Sequence, residues 1–238
     1  LSDLAAMGSK PVAATVNLFL PKHFSLEQCQ LLYLAMEKTA SKFDVEIFGG
    51  DTNSWDGKLV VGATLFGTVY PNARSEFWRM DTAKPGDRIF VTGPLGGSIS
   101  GRHLSFEPRN ELAKYLIQNY DLSAATDITD SLAIDLASLA AKSNCGFQIH
   151  EQQIPVSIAA QELATPNSEY SAVKRALYDG EDFELIIGCN EATAKQLHSD
   201  NQVSNSVFEI GQLIQPPEFL ICRSNGQTQE LEIQGYVH

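Results

Sequence analysis

Four short acidic clusters have side chains that could do chemistry on a phosphorylated substrate. Each places a carboxylate beside small or hydroxyl residues at the end of a predicted helix or strand. Mg²⁺ prefers hard oxygen ligands, usually one or two carboxylates together with phosphate and water oxygens. Carboxylates on several elements could therefore hold more than one ion. The clusters are Ser2-Asp3, Gly49-Gly50-Asp51-Thr52, Asp127-Ile128-Thr129-Asp130 and Gly180-Glu181-Asp182.

The cluster from Asp127 to Asp130 opens a predicted helix. Asp127 and Asp130 are three positions apart, so both project from one side of the first turn. The start of a helix offers unpaired N–H groups and positive potential, where phosphate oxygens and metal-bound carboxylates can meet. The alternative is that these acids and Thr129 are ordinary helix caps. The pattern becomes informative only in combination with the other clusters.

The other three clusters also have a structural alternative. Gly49 and Gly50 let the backbone approach a ligand closely, and Asp51 could then hold a cation over it, but the same residues suit a hairpin turn. Asp3 lies in a helix of small residues that ends at Gly8, where a solvated surface acid is common. The acids after Gly180 precede an apolar strand, as turn acids often do.

Several familiar catalytic patterns are missing from the sequence. It contains no G-x-x-x-x-G-K-[ST] loop, no protein-kinase signature and no G-x-S-x-G elbow. The stretch Gly93-Pro94-Leu95-Gly96-Gly97 resembles a phosphate loop only loosely. The five histidines show no H-x-x-x-H or H-x-H spacing, which argues against a zinc site.

The elements of the first third are predicted from apolar patterning. Ser25 with Gln28 forms a capping-box pattern, so a helix should run from there to about Lys42. Its apolar stripe, with residues at helical spacing, is expected to be core. The stripe comprises Leu32, Ala35, Met36, Ala40 and Phe43. The predicted strands are Val12 to Leu20, Val45 to Phe48 and Leu59 to Tyr70, with the loop GGDTNSWDGK joining the last two.

A turn cluster from Ala83 to Asp87 marks the predicted domain boundary, which gives domains 1–82 and 83–238. Strands and helices are interspersed in both halves, so the fold class is α/β or α+β. The predicted elements of the second half are strands at Arg88 to Gly93, Phe147 to His150 and Phe183 to Cys189, and helices at Asn110 to Asn119 and about Asp130 to Ser143.

The composition narrows the class of function. The 238 residues carry 17 Lys and Arg against 29 Asp and Glu, a net charge of −12 with scattered positive residues, which disfavours nucleic-acid or membrane-surface binding. Four widely spaced cysteines without a C-x-x-C pair indicate reduced thiols, and no apolar run approaches the roughly 20 residues of a membrane helix. A cytoplasmic location is expected. The chain begins without Met inside a predicted helix, so an upstream segment is also expected.

Taken together, the clusters, their order and their spacing resemble the thiamine-monophosphate kinases, a family of the superfamily that includes aminoimidazole ribonucleotide synthetase. The resemblance covers essentially the whole chain. Leu1 to Gly8 is similar to the family's N-L-S-D-[IL]-A-A-M-G helix, and Gly49 to Thr52 matches its G-G-D-T. The remaining matches are Ala83 to Gly93 with A-K-P-G-D…V-T-G, Arg102 to Arg109 with R-H-L-x-P-x-P-R, Asp127 to Leu132 with D-[IL]-S-D-G-L, Gly180 to Leu185 with G-E-D-Y-E-L, and the closing Gly235-Tyr236-Val237-His238.

The resemblance implies a function and a site. The expected reaction is direct, Mg²⁺-dependent transfer of the γ-phosphoryl group of ATP to thiamine monophosphate, without a covalent enzyme intermediate, in a homodimer whose N-terminal sheets pair. The expected fold is the two-domain, aminoimidazole ribonucleotide synthetase-like α/β (α+β) fold. The implied residues are Asp3, Asp51, Asp127 and Asp130 for magnesium, Gly50, Asp51, Thr129 and Arg79 for ATP, and Glu181 and Tyr236 for thiamine monophosphate.

The sequence departs from the family pattern at several positions. Ser131 replaces the glycine of D-x-S-D-G-L, Asp179 replaces the glycine before G-E-D, and Met80 stands where R-S-G-A-K-P-G-D has its arginine, with Arg79 one residue earlier. The family's upstream G-D-D-A motif is not in this chain. Two alternatives follow: another ATP-dependent branch of the superfamily, acting on a purine precursor or selenide, and a degenerate relative that only binds nucleotide or a partner.

Overall fold

The structure is a computed structural model that describes residues 1–166, 168 and 170–236. Val237 and His238, which belong to the closing motif, lie outside the described residues. No helix in the described part of the chain is long and apolar enough to cross a membrane. The cysteines Cys29, Cys145, Cys189 and Cys222 are free.

The N-terminal part is a three-stranded sheet with one helix on one face. The elements are α1 (Ser2–Ala6), β1 (Ser9–Pro21), α2 (Leu26–Lys42), β2 (Glu46–Trp55) and β3 (Val60–Val69). The strand order is β2-β1-β3, and β1 runs parallel to β2 and antiparallel to β3. The Tyr33 hydroxyl on α2 lies 2.6 Å from the Thr52 hydroxyl, so the helix covers the sheet face that also contains the buried Leu18.

The predicted start of α2 is confirmed, whereas its predicted buried stripe is wrong. The Ser25 hydroxyl accepts the Gln28 N–H at 3.1 Å, and the Gln28 side chain accepts the Ser25 N–H at 2.9 Å. No residue of α2 is buried: Ala35 is exposed, and the rest of the stripe is only half-buried. The reason is that a narrow sheet covers part of one side of the helix, and no other described part of the chain covers the remainder.

The second strand is longer than predicted, because the glycine-rich cluster lies inside it. β2 pairs with β1 from Glu46 as far as Trp55, so the segment expected to be a loop is mostly strand. A register shift opposite Ala14 and Thr15 absorbs the irregularity at the glycines. Gly50 has a φ of 146°, and a Cβ there would lie 1.8 Å from the Val16 carbonyl oxygen, so only glycine fits this close strand contact.

The C-terminal part is built on a seven-stranded sheet of order β10-β9-β6-β8-β4-β7-β5. All pairs in it are antiparallel except β6 with β9. Its helices lie on both faces. The elements are β4 (Arg88–Thr92), α3 (Asn110–Asn119), β5 (Ala124–Asp127), α4 (Leu132–Lys142), β6 (Gly146–His150), α5 (Ile158–Leu163), α6 (Ala172–Tyr178), β7 (Leu185–Cys189), α7 (Glu191–Ser199), β8 (Val207–Ile214), β9 (Phe219–Cys222) and β10 (Thr228–Glu230).

The sheet separates two hydrophobic cores. Along β4, Ile89 and Val91 enter the core that lies under α4 and α6, while Phe90 enters the core under α3 and α7, as strand alternation requires. Ala5 of α1 is fully buried in the second core, so this short helix joins the N-terminal part to the larger sheet. The division at residue 82 stays a prediction.

Candidate active site

The turn between β5 and α4 holds three of the predicted site residues. β5 ends at Asp127, and Ser131 caps α4 by accepting the Ile134 N–H at 3.1 Å. A single carboxylate oxygen of Asp135 accepts the N–H groups of Thr129 at 2.9 Å, Asp130 at 3.1 Å and Ser131 at 3.2 Å. The turn is therefore fixed from inside by the helix that follows it.

Asp135 is a functional residue that the sequence analysis missed. It is buried, and burial raises its pKa to about 6 although the N–H groups of Thr129, Ser131 and Asp130 favour the ionised form. The available signal was an acidic residue on the apolar side of α4, four positions after the capping Ser131. A buried acid on such a face needs a hydrogen-bonding partner, and the turn supplies three.

Two further segments converge on this turn. The Glu181 N–H donates to the Thr129 carbonyl at 2.7 Å, and the Tyr236 N–H donates to the Asp130 carbonyl at 2.9 Å. Gly180 approaches so closely that a Cβ would lie 2.4 Å from the Asp130 carbonyl oxygen. The structure thus brings Thr129, Asp130, Glu181 and Tyr236 together, although more than 100 positions separate the first and last of them.

Asp127 lies beside α1, which brings it near Asp3. Burial raises the pKa of Asp127, the Ser2 hydroxyl opposes that rise, and the charge of Asp3 adds to it. The Asp127 Oδ2 atom is buried and has no hydrogen-bond partner. An unpartnered carboxylate oxygen next to a second carboxylate fits a bound cation, because a positive charge would offset both burial and repulsion.

This pair of carboxylates suits magnesium better than a closed metal site. Among the residues that the structure describes, no three His, Cys, Asp or Glu side chains are grouped so that they could hold one metal ion. Mg²⁺ does not require such a group, since it commonly takes one or two carboxylates and completes its octahedron with phosphate and water oxygens. Asp127 and Asp3 fit that arrangement.

Asp51 lies on the face of the N-terminal sheet opposite α2. It pairs with Asn17 of β1, and its carboxylate accepts the Thr52 N–H at 2.9 Å and the Asn53 side-chain amide at 2.6 Å. These contacts keep the carboxylate on its own strand. That Asp51 shares ions with Asp127 stays a prediction.

Arg79 has a carboxylate partner in this structure. Its guanidinium donates to Asp81 through Nε at 2.7 Å and Nη2 at 2.6 Å, and both side chains are exposed. Met80, at the position of the expected arginine, packs partly buried against the core under α4. The assignment of Arg79 to ATP stays a prediction.

The glycine loop after β4 is not available to phosphate, because its amides already have acceptors. The Gly96 N–H donates to both Asp182 oxygens at 2.9 and 3.0 Å, and the Gly97 N–H donates to Asp179 at 2.9 Å. Burial raises the pKa of Asp182 to about 7, and the Gly96 N–H and Arg102 only partly offset this. Acidic side chains therefore occupy the places that an anion would need.

A second cluster missed from sequence surrounds Glu184, which is fully buried. Arg109 donates to its two oxygens at 2.6 and 2.5 Å, Arg102 pairs with one of them, and the Thr92 hydroxyl donates to the other at 2.8 Å. Two arginines around one buried carboxylate leave a net positive charge beside Asp182. The segment from Arg102 to Arg109 is thereby attached to the loop that contains Glu181.

Residues 1–69 match the family model described as AIR synthase related protein, N-terminal domain. The chain is 35% identical over 239 residues to the thiamine-monophosphate kinase of Rhodopirellula baltica, which is all of this chain and 73% of that protein. The chain belongs to the thiamine-monophosphate kinase family. The family member of Bacillus subtilis (strain 168) is 30% identical over 262 residues, covering all of this chain and 78% of that protein.

Solved structures agree with membership of the thiamine-monophosphate kinase family. The structure of thiamine-monophosphate kinase from Stenotrophomonas maltophilia K279a matches with a TM-score of 0.77 and 27% identity, over 95% of this chain and 75% of that one. AaThiL complexed with AMPPCP and TMP matches with a TM-score of 0.80 at 23% identity, over 98% and 75%. At that identity the second match shows the fold alone, and the predicted synthetase-like fold is confirmed.

Two departures from the thiamine-monophosphate kinase pattern have structural partners in this chain. Ser131 has an extended backbone, with a φ of 174°, which any residue adopts. Its hydroxyl caps α4 and donates to the Gln234 carbonyl at 2.9 Å. Asp179 accepts the Gly97 N–H and lies 3.5 Å from Arg175. Neither substitution disturbs the turn that carries Thr129 and Asp130.

Proposed function

We propose that this chain transfers the γ-phosphoryl group of ATP to thiamine monophosphate, giving ADP and thiamine diphosphate. Its membership of a family of that name supports the reaction, as does the fold it shares with a protein complexed with AMPPCP and TMP. The observation in this chain that carries the proposal is the convergence of Glu181 and Tyr236 on the Thr129–Asp130 turn. Glu181 and Tyr236, proposed for the acceptor, lie against Thr129, proposed for the nucleotide, and Asp130, proposed for magnesium.

Asp127, Asp3, Asp130 and Asp51 would hold Mg²⁺. When bound, Mg²⁺ supplies neutralisation of the phosphate charge in the loose transition state of phosphoryl transfer. Asp127 contributes the oxygen that lacks a protein partner, and Asp3 contributes a carboxylate beside it. No side-chain nucleophile is required, because the acceptor phosphate itself attacks in line.

The remaining residues bind and orient the two substrates in this proposal. Thr129, whose N–H is held by Asp135, would offer its hydroxyl to the nucleotide, and Gly50 would contact it through its main chain. Arg79 could leave its exposed partner Asp81 to meet a phosphate, since an exposed ion pair is worth little. Glu181 and the half-exposed Tyr236 would contact thiamine monophosphate.

The proposed assembly is a homodimer formed by the open face of the N-terminal sheet, defined here by Phe19, Phe48, Trp55 and Phe66. These side chains are 42 to 58% exposed and form two ring pairs, Phe19 with Trp55 and Phe48 with Phe66. Exposed aromatic pairs on one face of a sheet are typical of a protein interface. A cytoplasmic location is proposed from composition alone.

Replacing Asp127 or Asp51 with Asn tests the mechanism. Each change keeps side-chain size but removes the negative charge that would hold an ion, so turnover should fall about a hundredfold or more while the melting temperature is maintained. Excess magnesium should restore part of the loss. Turnover is measured as ADP release that depends on thiamine monophosphate.

Asp56→Asn is the matched control, because Asp56 follows the same strand, is exposed and pairs with the exposed Lys22 at 2.6 Å. It should behave as the parent protein. Parent-like activity of Asp127→Asn and Asp51→Asn across a magnesium titration would show that neither residue is a ligand. Activity that needs a purine precursor or selenide instead of thiamine monophosphate would favour another branch of the superfamily.

A further inference from the structure

The loop that contains Glu181 has a conformation that residues with a Cβ avoid. Glu181 has a φ of 53° and Phe183 a φ of 52°. Both residues therefore adopt the left-handed conformation that is usually taken by glycine. Such a backbone persists only when its surroundings hold it there, and it is often found at functional sites. The contacts of this loop therefore decide where Glu181 is placed.

The main chain of the loop is held from the side of the Thr129 turn. The Glu181 N–H donates to the Thr129 carbonyl, and the Phe183 N–H donates to the Ile128 carbonyl at 2.9 Å. Between them, the buried Asp182 accepts the Gly96 N–H. These bonds fix the backbone but leave the side chain of Phe183 to be fixed by something else.

That side chain stacks on Phe106. The two rings are 3.8 Å apart between centroids and 11° from parallel. Phe106 lies inside the segment whose two ends, Arg102 and Arg109, both bind the buried Glu184. The segment that carries the stacked ring is thus attached at both ends to Glu184, which directly precedes β7.

The pairing joins two positions at which this chain departs from the motifs that it resembles. In the family motifs quoted above, proline stands at the position of Phe106 and tyrosine at that of Phe183, so the two phenylalanines form a contact that those motifs do not encode. Both rings are half-buried.

We propose that Phe106 is a positioning residue for Glu181. Its stacking on Phe183 holds the backbone of the loop, in which Glu181 and Phe183 both have a positive φ, and that backbone aims the Glu181 carboxylate at the acceptor. The inference rests on the proposed function, in which Glu181 binds thiamine monophosphate. Phe106 acts through the loop and does not have to touch either substrate.

The test compares acceptor and nucleotide constants in the active enzyme. Phe106→Ala should raise the KM and the calorimetric Kd for thiamine monophosphate about five- to tenfold, the range expected for losing a stacked pair, with the KM for ATP unchanged. Phe106→Tyr should restore the parent values because it keeps a stacking ring. Leu104→Ala is the control, since Leu104 lies in the same segment and is 82% exposed.

Parent-like acceptor constants in Phe106→Ala, or equal losses for the acceptor and ATP, would overturn the inference. If the alanine variant does not fold, Phe106→Leu, which keeps apolar bulk but not a ring, replaces it in the comparison with Phe106→Tyr. Glu181→Gln distinguishes a failure of the role of Phe106 from a failure of the proposed function. If Glu181→Gln weakens acceptor binding and Phe106→Ala does not, the role of Phe106 is wrong and the proposed function is retained. If the parent enzyme does not phosphorylate thiamine monophosphate, the proposed function itself is wrong.

Discussion

Asp135 shows how one side chain can organise a site that it does not enter. Its carboxylate takes three consecutive N–H groups, from Thr129 to Ser131, and so replaces the partners that a turn at a helix start would otherwise lack. The cost is a buried charge, visible in a pKa raised to about 6. The three N–H groups offset that cost while the turn is intact.

Asp135→Ala should destabilise both the fold and the site. Three N–H groups lose their acceptor, so the free energy of unfolding should fall by about 2 kcal/mol, and turnover should fall because Thr129 and Asp130 are no longer held. Urea denaturation with parallel activity assays measures both. Asp135→Asn keeps an acceptor oxygen and should lose less than half as much; equal losses in the two variants would contradict this explanation.

Among individual residues, the sequence predicted those site residues that lie in short motifs. Asp127, Asp130 and Glu181 could be selected from the combination of their acidic clusters, and the structure places Asp130 and Glu181 at one turn. Asp135, Glu184 and their partners could not, because each is a single acid inside an apolar element and its partners are distant in the chain. The functional roles of all the site residues, Asp51 and Arg79 included, stay predictions.

The glycine loop and the loop before β7 form a joint between two elements of the larger sheet. Asp182 lies almost completely buried in that joint, where it accepts the Gly96 N–H and lies 3.8 Å from Arg102. Its pKa is raised to about 7, chiefly by burial, whereas an unfolded chain has an aspartate pKa near 3.9. The protonated form is therefore favoured in the folded state.

The joint should make stability depend on pH. The raised pKa of Asp182 stabilises the folded state by up to a few kcal/mol. This contribution is complete below about pH 4 and is lost as the pH rises through about 7. Asp135 acts in the same direction up to its pKa of about 6. Asp182→Asn cannot ionise and does not lose this contribution. The free energy of unfolding of the variant relative to that of the parent should therefore increase from pH 5 to pH 8.

Urea denaturation of the parent protein and Asp182→Asn at both pH values measures this difference. Comparing the two proteins removes the opposite contributions of acids whose pKa is lowered, such as Asp121 beside Arg74. Identical changes with pH in both proteins would show that Asp182 does not titrate in this range.

Element prediction succeeded where local chemistry determines the answer. The capping box at Ser25 and the strand at Arg88 are local signals, and both are confirmed. β2 was cut short because its glycines and polar residues suit a turn, while the pairing with β1 that keeps it extended is not local. The exposed stripe of α2 has the same origin, since burial depends on what the sheet can cover.

The open face of the N-terminal sheet belongs to the scale of the whole molecule. Phe19 and Phe66 share this face across β1 and β3, and Asp51 lies on it too. The opposite face contains the buried Val16 and Leu18. One sheet therefore has a side packed within the chain and a side suited to a second copy.

Phe66→Lys should convert the proposed dimer to a monomer. A charged side chain would have to be buried without a partner, at a cost of several kcal/mol, so sedimentation at micromolar concentration should show half the parent's mass. Leu34→Lys is the control, because Leu34 is 61% exposed on α2, which covers the other side of the sheet. A parent protein that sediments as a monomer would refute the dimer.

The fold class and its division between two sheets followed from interspersed strands and helices together with the family resemblance. The strand order did not, because β4 lies between β8 and β7, partners that are about 100 residues away. No periodicity in the sequence encodes such an order. The convergence of Tyr236 on Asp130 has the same cause, and only resemblance anticipated it.

The acid-to-amide bonds of the glycine loop also affect the order in which the chain folds. Asp179 and Asp182 reach Gly97 and Gly96 across 82 and 86 positions, and closing so long a loop costs entropy before any contact repays it. We expect the bonds to form late, once β4 and β7 have paired. Interactions made after the folding barrier slow unfolding more than they speed folding. The two carboxylates thus act mainly on the lifetime of the folded site.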